Sequence, residues 1–218
     1  MNLQIFQLNL SGVTLKIEDI PKLRGCIANQ FPEQLLLHNH DDHNRLRYGY
    51  PLIQYKLIRQ APSIVGINEG AELLEKIHSQ INHITIRGHD IPLNGKEYSL
   101  RKELLVETDT PIYYQFDSPW AALNQDNFLS YISMEDERER ESLLLSILKG
   151  NILSLCKGLG YEVKEPLEAV LDLAPTTIKL KDRIMTAFKG SFRVNMILPD
   201  YLGLGKAVSR GFGTIRRR

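Results

Sequence analysis

Cysteine and tryptophan are scarce in this 218-residue chain, which has two Cys and one Trp. Cys26 and Cys156 stand far apart in apolar, helix-like surroundings and form no Cys-x-x-Cys unit. That pattern excludes a disulfide scaffold and a cysteine zinc ribbon, and reads as reduced thiols of a cytoplasmic protein. Long hydrophobic runs are missing too. The best, LLLSILKGNILSL, is broken by Lys149, Gly150 and Asn151, so no segment spans a bilayer and no membrane partner is expected. The opening MNLQIFQLNL lacks a charged n-region and a cleavage site, and is not read as a signal peptide. There is no short repeat and no low-complexity tract. What is present is ordinary globular material: 43% hydrophobic residues supply a core for one large domain or two small ones.

A formal net charge of +1 conceals a strong asymmetry. Residues 176–218 hold ten Lys/Arg against Asp182 and Asp200, so this segment carries +8 and the remainder −7. Segregated positive charge indicates a polyanion partner, or else a solvated basic face. Within it, residues 203–218 read GLGKAVSRGFGTIRRR. The pairs Gly203/Gly205 and Gly211/Gly213 bracket Lys206, Ser209 and Arg210. Glycines let backbone N–H groups approach a ligand, and the cations suit phosphate. The loop is not a Walker A motif, because Asp200 and Ala207 stand where Gly and Ser/Thr are needed. Nor is it a dinucleotide fingerprint, since Val208 and Arg216 replace the third glycine. A tight hairpin needing positive φ remains one reading; with the basic segment around it, phosphate-backbone binding is the stronger.

The second anomaly is LLLHNHDDHNRLRYGY, with His38, His40 and His43 interleaved with Asp41 and Asp42. On an extended segment His38 and His40 point the same way. Imidazole, with an ordinary pKa of about 6.5, can take or give a proton near neutrality. One histidine can deprotonate an RNA 2′-hydroxyl while a neighbour or a tyrosine protonates the leaving 5′-oxygen. That chemistry needs no metal and leaves a 2′,3′-cyclic phosphate. A polar surface loop and a His/Asp metal site are the competing readings. His78, His83 and His89 fall on a helix and a strand and read as structural or exposed. Tyr48, Tyr50, Leu52, Gln54 and Lys56 alternate onto one face of the following strand, where tyrosines stack bases or pack in the core.

Apolar periodicity predicts a strand at 3–10, a helix through Ile17, Ile20, Leu23 and Ile27, strands at 47–58 and 64–67, a helix through Leu73, Leu74, Ile77 and Ile81, and a last strand at 84–98 with a turn signal at 93–96. This is β-α-β-β-α-β, a ferredoxin-like unit. A second unit follows: strand 104–116, helices 124–134 and 136–157 with Ser133 as the cap signal, and strands across 161–198. The expected fold is α+β, two tandem ferredoxin-like domains over residues 1–100 and 101–218, the second degenerate.

RYGYPLIQYK (residues 47–56) and FRVNMILPDYLGLGKAVSRGFGTI (residues 192–215), taken with the histidine loop, resemble the CRISPR-associated endoribonucleases that cut precursor CRISPR RNA within each repeat. The resemblance covers most of the chain. It implies two ferredoxin-like domains, metal-independent cleavage through the 2′-hydroxyl, no cofactor, and CRISPR repeat RNA as substrate, with other CRISPR-associated proteins or a second copy of the chain as partners. It places general acid/base chemistry on His38 and His40, assisted by Tyr48 or Tyr50. It assigns RNA binding to Gly203, Gly205, Lys206, Ser209, Arg210, Gly211 and Gly213 of the loop, and to Lys179, Lys181, Arg183, Lys189 and Arg193. A lysine in or after the first helix is usual in the family. Residues 26–31 have none, Gln30 being neutral, which leaves Lys56 or Lys22 to stand in. A non-catalytic RNA-binding subunit is the alternative function.

Overall fold

The computed structural model describes residues 1–38, 49–180 and 183–218. The chain divides into two compact units: Asn2–Glu103 together with Val208–Gly211, and Met1, Leu104–Ala207 and Phe212–Arg218.

In the first unit, β1 (Asn2–Ser11) leads through α1 (Ile20–Gln30) and the short α2 (Leu35–His38) to β2 (Ile53–Ile58) and β3 (Ala61–Ile67). Then come α3 (Glu69–Ile77), β4 (His83–Ile86), β5 (His89–Pro92) and β6 (Gly95–Leu104). The sheet order is β2-β3-β1-β6, which is 4-1-3-2 from the far edge, the ferredoxin-like order. Pro21 sits in the first turn of α1, where its missing N–H costs nothing. The stripes Ile20, Leu23, Ile27 and Leu74, Ile77 close over Phe6, Leu8 and Tyr55 to make the core.

The stretch expected to be one strand at 84–98 is instead three. β4 and β5 form a separate two-stranded hairpin. Its turn is Arg87-Gly88, both at positive φ (55° and 80°), which matches the strand twist at a two-residue loop. The expected turn at 93–96 is the link from β5 to β6. Arg87 pins the hairpin to α1 by two hydrogen bonds to Asp19, at 2.9 and 3.1 Å. The strand expected at 47–58 spans Ile53–Ile58 among the described residues. Its Gln54 and Lys56 are fully buried, not on an open sheet face.

The second unit runs β7 (Val106–Phe116), α4 (Gln125–Ser133), α5 (Glu137–Gly158), β8 (Ala169–Leu180), β9 (Arg183–Ile197) and β10 (Ile215–Arg217). Its sheet, β10-β7-β9-β8, repeats the 4-1-3-2 order. The cap of α5 is Asp136, whose carboxylate accepts the Arg138 N–H at 2.8 Å, and not Ser133. Strand structure begins at Ala169, later than residue 161. This unit is degenerate in one respect: between β9 and β10, where a second helix belongs, lies the glycine loop with a single 3-10 turn, Val208–Arg210. Its core stacks Phe116 on Trp120 and Tyr114 on Phe192. The Trp120 indole donates to Asn151 on α5 at 3.0 Å. Both cysteines are free thiols, and burial pushes that of Cys156 up to about 12. No helix among the described residues is long and apolar enough to cross a membrane.

Candidate functional site

His38 closes α2, so its backbone is helical and not extended. His40 and Tyr48 lie outside the described residues, and Tyr50 is half-buried ahead of β2. His38 is held by α1. Arg24 occupies the i+4 place of the stripe Ile20, Leu23, Ile27, where an apolar residue would complete the buried face. Its Nη2 donates to the His38 carbonyl oxygen at 2.7 Å, and its Nη1 reaches the Ser209 hydroxyl at 3.4 Å. Burial, then the neighbouring charge of Arg210, push the Arg24 guanidinium below its ordinary value. Two guanidinium groups thus lie close enough to repel beside the histidine-bearing turn, a local excess of positive charge.

Ser209 and Arg210 reach this place because the 3-10 turn lies against α1 and along β2, the outer strand of the sheet. Val208 is buried, and Gly211 follows at φ +92°. A Cβ on Gly211 would come 3.1 Å from Ile17 and 3.2 Å from Ile20. The His38 turn and Ser209 are thus joined by Arg24, a residue the sequence pattern did not single out. The signal was there: a cation at a core-facing helical position.

The rest of the glycine loop folds onto its own unit. Leu204 N–H donates to Gly213 O at 2.9 Å, Gly213 N–H to Pro119 O at 2.9 Å and Lys206 N–H to Ala121 O at 3.0 Å. Gly203 bridges Thr214. Gly205 has φ +86°, and a Cβ there would lie 2.7 Å from the Trp120 indole nitrogen. Gly213 has φ +64°, and its Cβ would collide with the Leu204 carbonyl. Those amides therefore point inward, and the glycines at 205 and 213 serve close packing. Of the loop's side chains, Leu204, Val208 and Phe212 are buried, Lys206 is exposed, and Ser209 and Arg210 are half-exposed.

Lys179, Arg183, Lys189 and Arg193 sit on the long β8–β9 hairpin, all exposed; Lys181 lies outside the described residues. β7 pairs with β9 only from Ser191 onward, so residues 183–186 continue with β8 alone as the end of a two-stranded arm, while Ala187 and Phe188 are buried and Phe188 bridges Trp120. The unbroken register puts Arg183, Lys189 and Arg193 on one face and Lys179, opposite Ile184, on the other.

The two candidate lysines differ sharply. Lys22 is half-exposed and pairs with Asp19 at 3.3 Å. Lys56 is wholly buried, and loss of solvent drives its ammonium down to about 7. Strand alternation turns it to the sheet face opposite Tyr55 and the α1 core.

Comparison with known proteins adds the following. The profile of the Cas6b N-terminal domain matches residues 1–104, and that of the Cas6b C-terminal domain matches residues 106–218. A crystal structure of Cas6b is 35% identical with a TM-score of 0.95, and 100% of each chain is covered. A second, a crystal structure of the CRISPR RNA processing endoribonuclease Cas6b, is 33% identical with a TM-score of 0.81, again over 100% of each chain. An uncharacterized protein of Methanocaldococcus jannaschii is 45% identical over 107 residues, 49% of this chain and 72% of its own length.

Proposed function

Because the chain belongs to the Cas6b family, we propose that it is an endoribonuclease that cleaves CRISPR repeat RNA through the RNA's own 2′-hydroxyl. The observation that carries this reading is the double hydrogen bonding of Arg24 to the His38 backbone carbonyl and the Ser209 hydroxyl, which ties the histidine-bearing turn to the loop segment that carries Arg210.

The reaction needs little from the protein beyond position, protons and charge. His38 accepts the 2′-hydroxyl proton as that oxygen attacks the adjacent phosphorus. Arg24 and Arg210 offset the extra negative charge of the five-coordinate phosphorus. The bond from phosphorus to the 5′-oxygen then breaks, and His40, Tyr48 or Tyr50 returns a proton to that oxygen. The products are a 2′,3′-cyclic phosphate and a 5′-hydroxyl, with no water, metal or cofactor consumed. Lys206 and the β8–β9 arm, with Lys179, Lys181, Arg183, Lys189 and Arg193, hold repeat phosphates.

The test incubates the protein with labelled host repeat RNA in EDTA, beside the same RNA carrying one 2′-deoxy nucleotide just upstream of the cut. Cleavage of the all-ribose RNA alone supports the mechanism, and His38→Ala should then slow it by about 10²–10⁴-fold with binding intact. Tight binding without cleavage would make the chain an RNA-binding subunit. Activity only on adding a divalent metal would make it a metal-dependent phosphoesterase.

A further inference from the structure

The face of the second sheet turned away from α5 takes no part in the proton transfers above, and of its residues only Arg193 has so far been given a role. Tyr114, Phe116, Phe192 and Val194 bury their side chains in the aromatic core. Alternation therefore sends Tyr113, Gln115, Ser191 and Arg193 to the opposite face. Register aligns these residues in two rows across the strands. One row is Val170, Arg193, Tyr113, with the Arg218 N–H donating to the Tyr113 carbonyl at 3.0 Å. The next is Asp172, Ser191, Gln115, Arg216.

Tyr113 stands on an inner strand of the sheet, yet the residue is 52% exposed. Arg193 Nη1 reaches its hydroxyl at 3.4 Å, fixing the ring beside a guanidinium. Gln115 is oriented from both ends, its amide donating to Gly190 O at 2.8 Å while Arg218 donates to its oxygen. Arg216 pairs with Asp117 at 3.0 Å and Asp172 stands opposite Ser191 in the second row, which leaves Arg193 at the Tyr113 hydroxyl and Arg218 on the neighbouring Gln115 as the cations beside the ring. An exposed aromatic on an inner strand of a 4-1-3-2 sheet, flanked by two arginines, is the arrangement that stacks an unpaired base while arginines take the flanking phosphates. A protein partner would be expected to find a less charged centre.

We propose that this face is a platform for single-stranded RNA, with Tyr113 stacking a nucleobase and Arg193 and Arg218 holding the phosphates on either side. The proposal rests on the RNA-processing reading and adds to it a site for unpaired nucleotides of the same RNA.

The test uses repeat RNA made uncleavable by a 2′-deoxy nucleotide at the cut, with binding read by fluorescence anisotropy for the full-length protein. Tyr113→Leu keeps bulk and strand propensity but removes the stacking ring; it should weaken binding about ten- to a hundredfold. Tyr113→Phe should stay within about twofold of the parent, since stacking does not need the hydroxyl. Photocrosslinking of 4-thiouridine placed at successive unpaired positions should label the peptide containing Tyr113 from one or two positions. Equal binding by parent and Tyr113→Leu, or equal losses for Leu and Phe, would overturn the platform, as would crosslinks that avoid β7. A parent that cleaves all-ribose RNA while Tyr113→Leu binds normally removes the platform and leaves the enzyme. A parent that binds through Tyr113 without cleaving does the reverse, and one that binds no repeat RNA removes both.

Discussion

Arg24 donates its Nη2 proton to the backbone carbonyl of His38 at 2.7 Å, across 14 residues of sequence, and turns its Nη1 to Ser209 at 3.4 Å, across 185. One planar group thus sets the position of the histidine turn against the loop segment. A lysine has one nitrogen and no fork, so it cannot hold both acceptors in this geometry.

Arg24→Ala should lower the single-turnover cleavage rate of repeat RNA about ten- to a hundredfold, the scale of a small misplacement of a reacting group. Arg24→Lys should recover only part of that loss. Repeat affinity, measured on uncleavable RNA, should change by less than about threefold for both. A loss confined to affinity would assign Arg24 to binding alone.

Gly213→Ala and Gly205→Ala should destabilise the fold by about 2 kcal/mol or more each, because a methyl group meets the Leu204 carbonyl or the Trp120 indole at a positive φ. Thermal melting in the absence of RNA reads this directly. The loss should appear without ligand, as packing requires.

On the β8–β9 arm, Lys179→Gln, Arg183→Gln and Lys189→Gln should each weaken RNA binding without changing the cleavage rate of the bound complex. Each should also flatten the plot of log affinity against log salt by roughly 0.7 where the RNA is single-stranded. Anisotropy titrations at several salt concentrations give the slope.

Lys56 makes stability depend on pH. Its ammonium is held down to about 7 in the fold, against 10.5 for an ordinary lysine. Between those values the unfolded chain binds the proton and the folded chain does not, so stability rises with pH across that window. The slope is at most about 1.4 kcal/mol per pH unit, and the contribution is lost as pH falls to 7 and below. Urea melts of the parent and Lys56→Met from pH 7 to 10 should show the difference between them growing in the parent's favour as pH rises.

The strand and helix order of both units was legible in the sequence because the stripes through Ile20, Leu23 and Ile27 and through Leu74 and Ile77 keep a strict period. The β4–β5 hairpin was not. Ile84, Ile86 and Ile91 read as continuous strand material, and Arg87-Gly88 is a weaker turn signal than Asn94-Gly95. A charge in an alternating strand reads as the solvent side, so nothing local marked Lys56 as buried. The loop cations were legible from charge alone. The inward course of the amides at 206 and 213 was not, because it depends on Ala121 and Pro119, far off in sequence. Arg24 escaped for the same reason: its two acceptors belong to other segments, which periodicity cannot see.

Val208–Gly211 completes a unit whose other residues end at Glu103. During synthesis on the ribosome, β1 to β6 emerge well before this turn, which follows β9. For that interval β2 and α1 lack the turn that packs against them in the finished protein. The first unit therefore cannot reach its full set of residues until the second has been made, so its assembly does not follow the order of the chain.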